Sequence, residues 1–203
     1  RGDAGVDAGI SRWQDALVGC AVALLFATVA PTSPIDRPRM IAAKVLHEAA
    51  ITVRAMVGAL QRHDVDAAEQ LLTRARATEG ELSALLAASS EGMAVVRTSP
   101  FLRRHRDAAL QVADLVVPLD RFIRNLRVLA RRCAVAAHRG ETVPEEYLEL
   151  LAEFAQVIDE CAAELFARRL PTAKLDALRA LAERSAHVPI LPKLSSTVVL
   201  AQV

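Results

Sequence analysis

Aromatic residues are scarce in this chain. Phe, Trp and Tyr together make up 3% of the 203 residues, whereas apolar residues of all kinds make up 53%. A β fold favours aromatic and β-branched side chains, while the abundant Ala, Leu and Arg are strong helix formers. We therefore expect an all-α protein, an antiparallel helical bundle with long coiled-coil-like helices, preceded by one apolar helix.

Motifs that carry catalysis are missing from the sequence. It has no Gly-rich phosphate loop, nucleophile elbow, HExxH motif or paired CxxC motif, so we predict that the chain is not an enzyme and binds no cofactor. The three cysteines, Cys20, Cys133 and Cys161, are isolated in apolar helical patterns. Such spacing predicts reduced, buried thiols in a cytoplasmic setting and no zinc site. The net charge of +1 argues against a nucleic-acid partner.

One of the five histidines, His105, falls at an inward position of a strong apolar pattern. Because Arg103, Arg104 and Arg106 surround it in the sequence and would oppose a bound cation, we interpret it as a core-edge residue and not as a metal ligand. Segment 97–106 is rich in arginine. We interpret it as a solvated helix end, and contact with an anionic lipid surface is the less favoured alternative.

An uncharged run covers residues 16–30, ALVGCAVALLFATVA, and leads directly into PTSPIDRP. Fifteen helical residues span only about 22 Å of a hydrocarbon layer that is roughly 30 Å thick. Beginning the helix at Arg12 or Trp13 adds about one turn and places Trp at the interface that it prefers. Small residues such as Gly19, Ala23 and Ala27 permit close packing with other membrane helices. We therefore predict a transmembrane helix.

Asp15 is the ionisable residue nearest to the apolar run. We place it at the interface, one turn from Arg12, although a polar pathway between helices is the other interpretation. A buried core helix of a soluble bundle has the same length as the run and stays an alternative. A signal peptide is disfavoured because Asp3, Asp7 and Asp15 are incompatible with the basic leader that it needs.

The sequence divides into three predicted regions. Residues 1–31 are the apolar N-terminal helix, residues 38–187 a cytoplasmic helical bundle, and residues 188–203 a C-terminal extension that we expect to be truncated. The start at Arg1 without Met and the apolar end at Val203 indicate an excerpt of a longer polypeptide.

Proline positions and apolar spacing divide the bundle into helices. We predict that Asp66 caps the third helix, that the residues SSEG end it, and that Pro118 kinks a continuous fourth helix. The expected ranges after the apolar helix are 38–62, 66–89, 100–140, 144–169 and 171–186.

Apolar residues in the fourth and fifth helices recur at alternating spacings of three and four, which is typical of helices packed at a shallow angle. The expected packing positions are Leu102, Val112, Val116, Ile123, Leu126, Leu148, Leu151, Ile158 and Leu165. Charge is distributed unevenly: residues 97–139 hold ten Arg and three Asp (+7), and residues 141–170 hold eight acids and two Arg (−6). We expect these two helices to pack as an antiparallel hairpin with complementary flanks.

Residues 12–34, RWQDALVGCAVALLFATVAPTSP, resemble the final membrane helix of actinobacterial proteins in the fusaric acid resistance and aromatic acid exporter superfamily. The closing STVVLAQV is similar to the segment that leads into a last short amphipathic helix in such relatives, and the middle matches by architecture only. Arg12, Asp15 and Gly19 match the family pattern. Cys20 departs from it, since relatives commonly have a small residue there. The resemblance implies an oligomeric inner-membrane protein that exports small organic or aromatic acids using an ion gradient.

On this resemblance we expect the chain to be the C-terminal cytoplasmic region of such an exporter, coupling or stabilising protomers. Its partners would be the membrane, the other transmembrane helices of the same longer protein and further copies of itself. Arg37, Arg39 and Lys44 follow the apolar run while Arg1 and Arg12 precede it, which favours a cytoplasmic location after about residue 38. The alternative is a soluble helical interaction or dimerisation module with no transport role.

Overall fold

The computed structural model of the chain describes residues 36–98 and 106–188. The chain divides into two compact units, Arg1–Ser33 and Pro34–Val203, and the described residues all belong to the second. They form α1 (Asp36–Arg62), α2 (Val65–Thr98), α3 (Arg106–Asp114), α4 (Val116–His138), α5 (Glu145–Phe166), a short 3-10 helix (Pro171–Lys174) and α6 (Leu175–His187). These two ranges contain no strand, so the prediction of a helical bundle is confirmed for them.

None of the six α-helices just named combines the length and the apolar character that a membrane crossing requires. The predicted transmembrane helix, with Arg12, Trp13, Asp15, Gly19, Ala23 and Ala27, lies outside the described residues. Its prediction is therefore unsupported by this structure. Leu102, His105 and nearly all of the predicted extension 188–203 also lie outside the described residues.

Helix α1 begins two residues before the predicted start. Asp36 lies in its first turn and Arg62 in its last, where their charges suit the helix dipole. Pro38 is tolerated because the first-turn N–H groups have no partner within the helix. Helix α1 is rich in small side chains that are fully buried: Ala42, Ala43, Ala49, Ala50 and Ala59.

The turn between α1 and α2 is set by two polar residues. His63 takes a positive φ of 51°. The carboxylate of Asp64 accepts a hydrogen bond from the Ala67 N–H at 2.9 Å. The residue that caps α2 is thus Asp64, and the prediction that Asp66 does so is wrong, because an N-cap carboxylate reaches the N–H three residues on.

Helix α2 continues through the SSEG residues, where the sequence predicted a break. Ser89 and Gly92 are buried and lie with Ala109 and Val112 of α3 around a cavity of about 10 Å³. The Ser90 hydroxyl donates to the Ala87 carbonyl oxygen at 2.8 Å, within the helix. The prediction was wrong because packing against α3 outweighs the low helix propensity of Ser and Gly.

The predicted single helix around Pro118 is two helices, α3 and α4, separated at Leu115. The Leu115 N–H bonds to the Val112 carbonyl oxygen at 3.2 Å, a tight three-residue turn, and α4 then begins. Pro118 lacks the N–H that would bond to Asp114 and its ring crowds that carbonyl group. The proline therefore falls in the first turn of a new helix, where it is tolerated.

Helix α5 begins after Pro144, as predicted, with Glu145 and Glu146 in its first turn. It ends at Phe166, three residues before the predicted end. Arg168 takes a positive φ of 61°, which reverses the chain toward the 3-10 helix and α6.

The main apolar core joins α1, α2, α4 and α5. Two smaller buried clusters lie between α1, α5 and α6 and between α2 and α3. Helix α1 packs closely against both α5 and α2, and α2 packs against α4. The small residues of α1 allow this close approach. The eight predicted packing positions within the described ranges are all buried: Val112, Val116, Ile123, Leu126, Leu148, Leu151, Ile158 and Leu165.

Helices α4 and α5 contact each other through an aromatic pair. The rings of Phe122 and Phe154 meet edge to face, with centroids 6.1 Å apart. The closest backbone packing of α5 is against α1 instead. The predicted hairpin with complementary charged flanks is wrong for Glu153, Asp159 and Glu160, because the cations that pair with these carboxylates belong to α6, α1 and the 3-10 helix.

Candidate functional surfaces

The contact between α1 and α5 centres on the carboxylate of Asp159. One oxygen lies 2.7 Å from Nδ1 of His47, and the other accepts a hydrogen bond from Nη2 of Arg54, also at 2.7 Å. Partial burial alone would raise the pKa of Asp159, but these hydrogen bonds and the neighbouring charges together lower it. The cluster ties two helices together at the edge of the core, which is a structural role.

Ion pairs also join α1 to α2. Nζ of Lys44 lies 2.6 Å from Oε1 of Glu81, and Nη2 of Arg74 lies 2.9 Å from Oε2 of Glu48. The hydrogen bond to Glu81 and its charge raise the pKa of Lys44. Together with the Asp159 cluster, these pairs connect α1 to α5 on one side and to α2 on the other. Because exposed ion pairs contribute little to stability, their main effect is on the register of α1 against its neighbours.

A groove of about 630 Å³ runs between α5 and α6, and we call it the acidic groove. Its apolar floor and acidic rim are formed mainly by Glu146, Glu149, Leu150, Ala180, Glu183 and Val188. The basic residue Arg184 also lines it, but its guanidinium forms a forked pair with Glu153, whose pKa is lowered by that hydrogen bond. His187 completes the lining, so the groove holds three glutamates and one arginine and is formally negative when His187 is neutral.

Helix α4 shows the opposite charge along its solvent-exposed side. Val117, Arg121, Arg124, Val128 and Arg131 follow one another at spacings of four, three, four and three, and all are exposed. We call this row the arginine stripe. Nε of Arg124 lies 3.0 Å from Oδ2 of Asp120, within the same helix. The two valines are 57% and 41% exposed, as are several other large apolar side chains of the described ranges, such as Leu86 and Leu175.

The described ranges hold two free cysteines, Cys133 and Cys161, and both are buried. No group of three or more His, Cys, Asp or Glu residues within residues 36–98 and 106–188 is arranged to hold a metal ion. Burial raises the pKa of the Cys133 thiol to about 12, and it also raises that of Cys161. Neither thiol has the lowered pKa that is typical of nucleophilic cysteines.

The arginine stripe and the acidic groove were missed by the sequence interpretation. A signal for the stripe existed, since Val117 and Val128 occur at positions that the apolar spacing assigns to the outer face of the helix. The sequence contains no comparable signal for the acidic groove, because the groove forms only when α6 packs against α5.

A protein of Corynebacterium glutamicum that is described as uncharacterized is similar to this chain, with 32% identity over 148 residues. The match covers 73% of this chain but only 38% of the relative, so the chain spans well under half of that protein's length. No family model matches the sequence. No solved structure matches the chain either.

Proposed function

We propose that this chain is the C-terminal cytoplasmic helical region of an inner-membrane exporter of small organic or aromatic acids, in which the bundle couples or stabilises protomers. The single observation that carries the proposal is the apolar run 16–30, which precedes the compact unit Pro34–Val203 and resembles the final membrane helix of the exporter superfamily. On this proposal, the substrate path belongs to other membrane helices of the longer protein.

The character of the bundle supports a role in contacts between proteins. Its interior is filled mainly by aliphatic side chains and alanines, with the buried aromatic residues Tyr147 and Phe154, whereas its ion pairs lie at the surface. Such a core supports rigid helix faces without reserving space for a substrate. The relative in Corynebacterium glutamicum is a longer protein, as the proposal requires of the polypeptide that holds this region.

Membrane fractionation tests the proposal. Residues 1–203 and 34–203 are expressed with the same C-terminal tag in an actinobacterial host, and the membranes are washed with alkaline carbonate. We expect residues 1–203 to stay with the membranes and residues 34–203 to be soluble. Recovery of residues 1–203 in the soluble fraction would contradict the proposal.

A pair of variants at one position controls for unspecific adhesion. Leu24→Arg places a charge at the middle of the apolar run, where it is costly in lipid, whereas Leu24→Ile keeps the run apolar. We expect the arginine variant to leave the washed membranes and the isoleucine variant to remain. Equal behaviour of the two variants would argue against a spanning helix.

A soluble helical interaction or dimerisation module with no transport role is the second candidate. The observation that favours it is the pair of oppositely charged surfaces on the described bundle, the arginine stripe and the acidic groove. In the fractionation experiment this candidate requires a soluble full chain and loss of folding when residues 1–33 are removed, since the apolar run would then be part of the core.

A further inference from the structure

We infer that the arginine stripe of one copy of this chain docks into the acidic groove of a second copy. The inference deepens the proposed coupling of protomers and rests on it. It concerns which surfaces meet, whereas the fractionation experiment concerns attachment to the membrane.

Charge complementarity is the first argument. The stripe presents Arg121, Arg131 and Arg124, the last of which also pairs with Asp120. The groove is lined by Glu146, Glu149 and Glu183, which outnumber its one arginine, Arg184. Both sets belong to the same chain, so every copy offers both surfaces. A net charge of only +1 means that long-range repulsion between copies is weak.

The spacing of the charges is the second argument. Arg121 and Arg124 are separated by three residues, as are Glu146 and Glu149 on the rim. Both pairs are thus offset by about 4.5 Å along their helix axes, which allows two ion pairs to form side by side. Charged groups matched in this way set the register and the partner of helix contacts.

The apolar groups are the third argument. Val117 and Val128 are exposed on the stripe, and the apolar floor of the groove includes Ala180, which is exposed, and Val188, which is partly exposed. A helix laid in the groove would bury the valines against this floor and leave the arginines to meet the acidic rim. An amphipathic helix in an apolar groove is a recurrent mode of recognition.

Sedimentation equilibrium of the full chain in a density-matched non-ionic detergent tests the inference. The stripe-reversed variant is Arg121→Glu with Arg131→Glu, and the groove-reversed variant is Glu149→Arg with Glu183→Arg. We expect the unmodified chain to self-associate at micromolar concentration. The dissociation constant of each variant should be higher by a factor of about ten or more. An equimolar mixture of both variants should regain association, because each acidic surface then meets a basic one.

The matched controls are Arg76→Glu and Glu69→Arg, which reverse exposed charges on α2. They should leave association unchanged. Raising the salt concentration should weaken the self-association of the unmodified chain, since surface charges are screened beyond about 10 Å at 0.1 M salt. Circular dichroism verifies that each variant is folded. Should a reversal unfold the chain, Arg121→Gln and Glu149→Gln take its place, and each should weaken association.

A monomeric unmodified chain would overturn the inference, as would variants that associate normally or a mixture that does not recover. Vesicles with anionic lipid provide the last comparison. If the stripe-reversed variant loses binding to such vesicles while self-association is unaffected, the stripe meets lipid and the inference is wrong.

Discussion

Asp159 of α5 and Arg54 of α1 form an ion pair in which Oδ2 and Nη2 lie 2.7 Å apart. The other carboxylate oxygen is held by His47 from the same helix as Arg54. Asp159 therefore links α5 to two positions of α1 that lie about two helical turns apart. Loss of this one carboxylate removes both links.

The variant Asp159→Asn tests how much these links stabilise the bundle. We expect the free energy of unfolding to fall by about 1 kcal/mol or less, because the cluster is partly solvated and screened. The control is Asp176→Asn, which removes an exposed ion pair within α6. The control should change the free energy by less than about 0.5 kcal/mol. Urea unfolding measures the free energy of unfolding of both variants. A larger loss in Asp176→Asn than in Asp159→Asn would contradict the role of Asp159 in linking α1 to α5.

Acid should destabilise the bundle in a defined range. The pKa values of Glu153, Asp159, Glu160 and Glu164 are lowered in the fold, so their ionised forms stabilise it above the unfolded pKa values. That stabilisation is lost as these groups become protonated, between about pH 5 and pH 3. Thermal unfolding across this range should show a falling midpoint, with a shallower fall in Asp159→Asn. A midpoint independent of pH would exclude this contribution.

Two leucines that differ in burial test the position of the core. Leu151 is fully buried, whereas Leu86 on α2 is 51% exposed. We expect Leu151→Ala to lower the free energy of unfolding by about 2–5 kcal/mol, because it removes apolar contacts and leaves a cavity. Leu86→Ala should cost less than about 1 kcal/mol. Similar losses from the two variants in urea unfolding would mean that α5 does not pack as described.

Two glycines should respond to alanine with opposite signs. Gly140 has a φ of +61°, and no neighbouring atom lies within 4 Å of an added Cβ. Its replacement should therefore cost about 1 kcal/mol through backbone strain alone. Gly80 lies within α2 with open space around it, so Gly80→Ala should stabilise the chain by about 0.5–1 kcal/mol. The difference in thermal midpoint between the two variants checks the turn after α4.

Local signals predicted those parts of the fold that depend on local chemistry. The start of α5 after Pro144 follows from the fixed φ of proline and the acidic first turn. The burial of Leu126 and Leu151 follows from apolar spacing along one helix. In each case the responsible interactions lie within a few residues of one another.

The incorrect predictions have one physical cause in common. Each depends on contacts between helices that are distant in the sequence. Ser89 and Gly92 stay helical because α3 covers them, and the sequence around them contains no sign of that contact. Pro118 is compatible both with a kink in one helix and with the first turn of a new helix. The sequence alone therefore did not predict the separation at Leu115. The acidic rim and the arginine stripe depend on which helix faces pack inward and which remain in solvent. Neighbouring residues alone do not determine that choice.

The central claim is that the bundle described for residues 36–98 and 106–188 folds without residues 1–33. Urea unfolding of residues 34–203, followed by circular dichroism at 222 nm, tests it most directly. We expect a soluble, strongly helical protein with one cooperative transition. A gradual loss of helix without a transition, or a fragment that is collapsed and loosely packed, would contradict the claim.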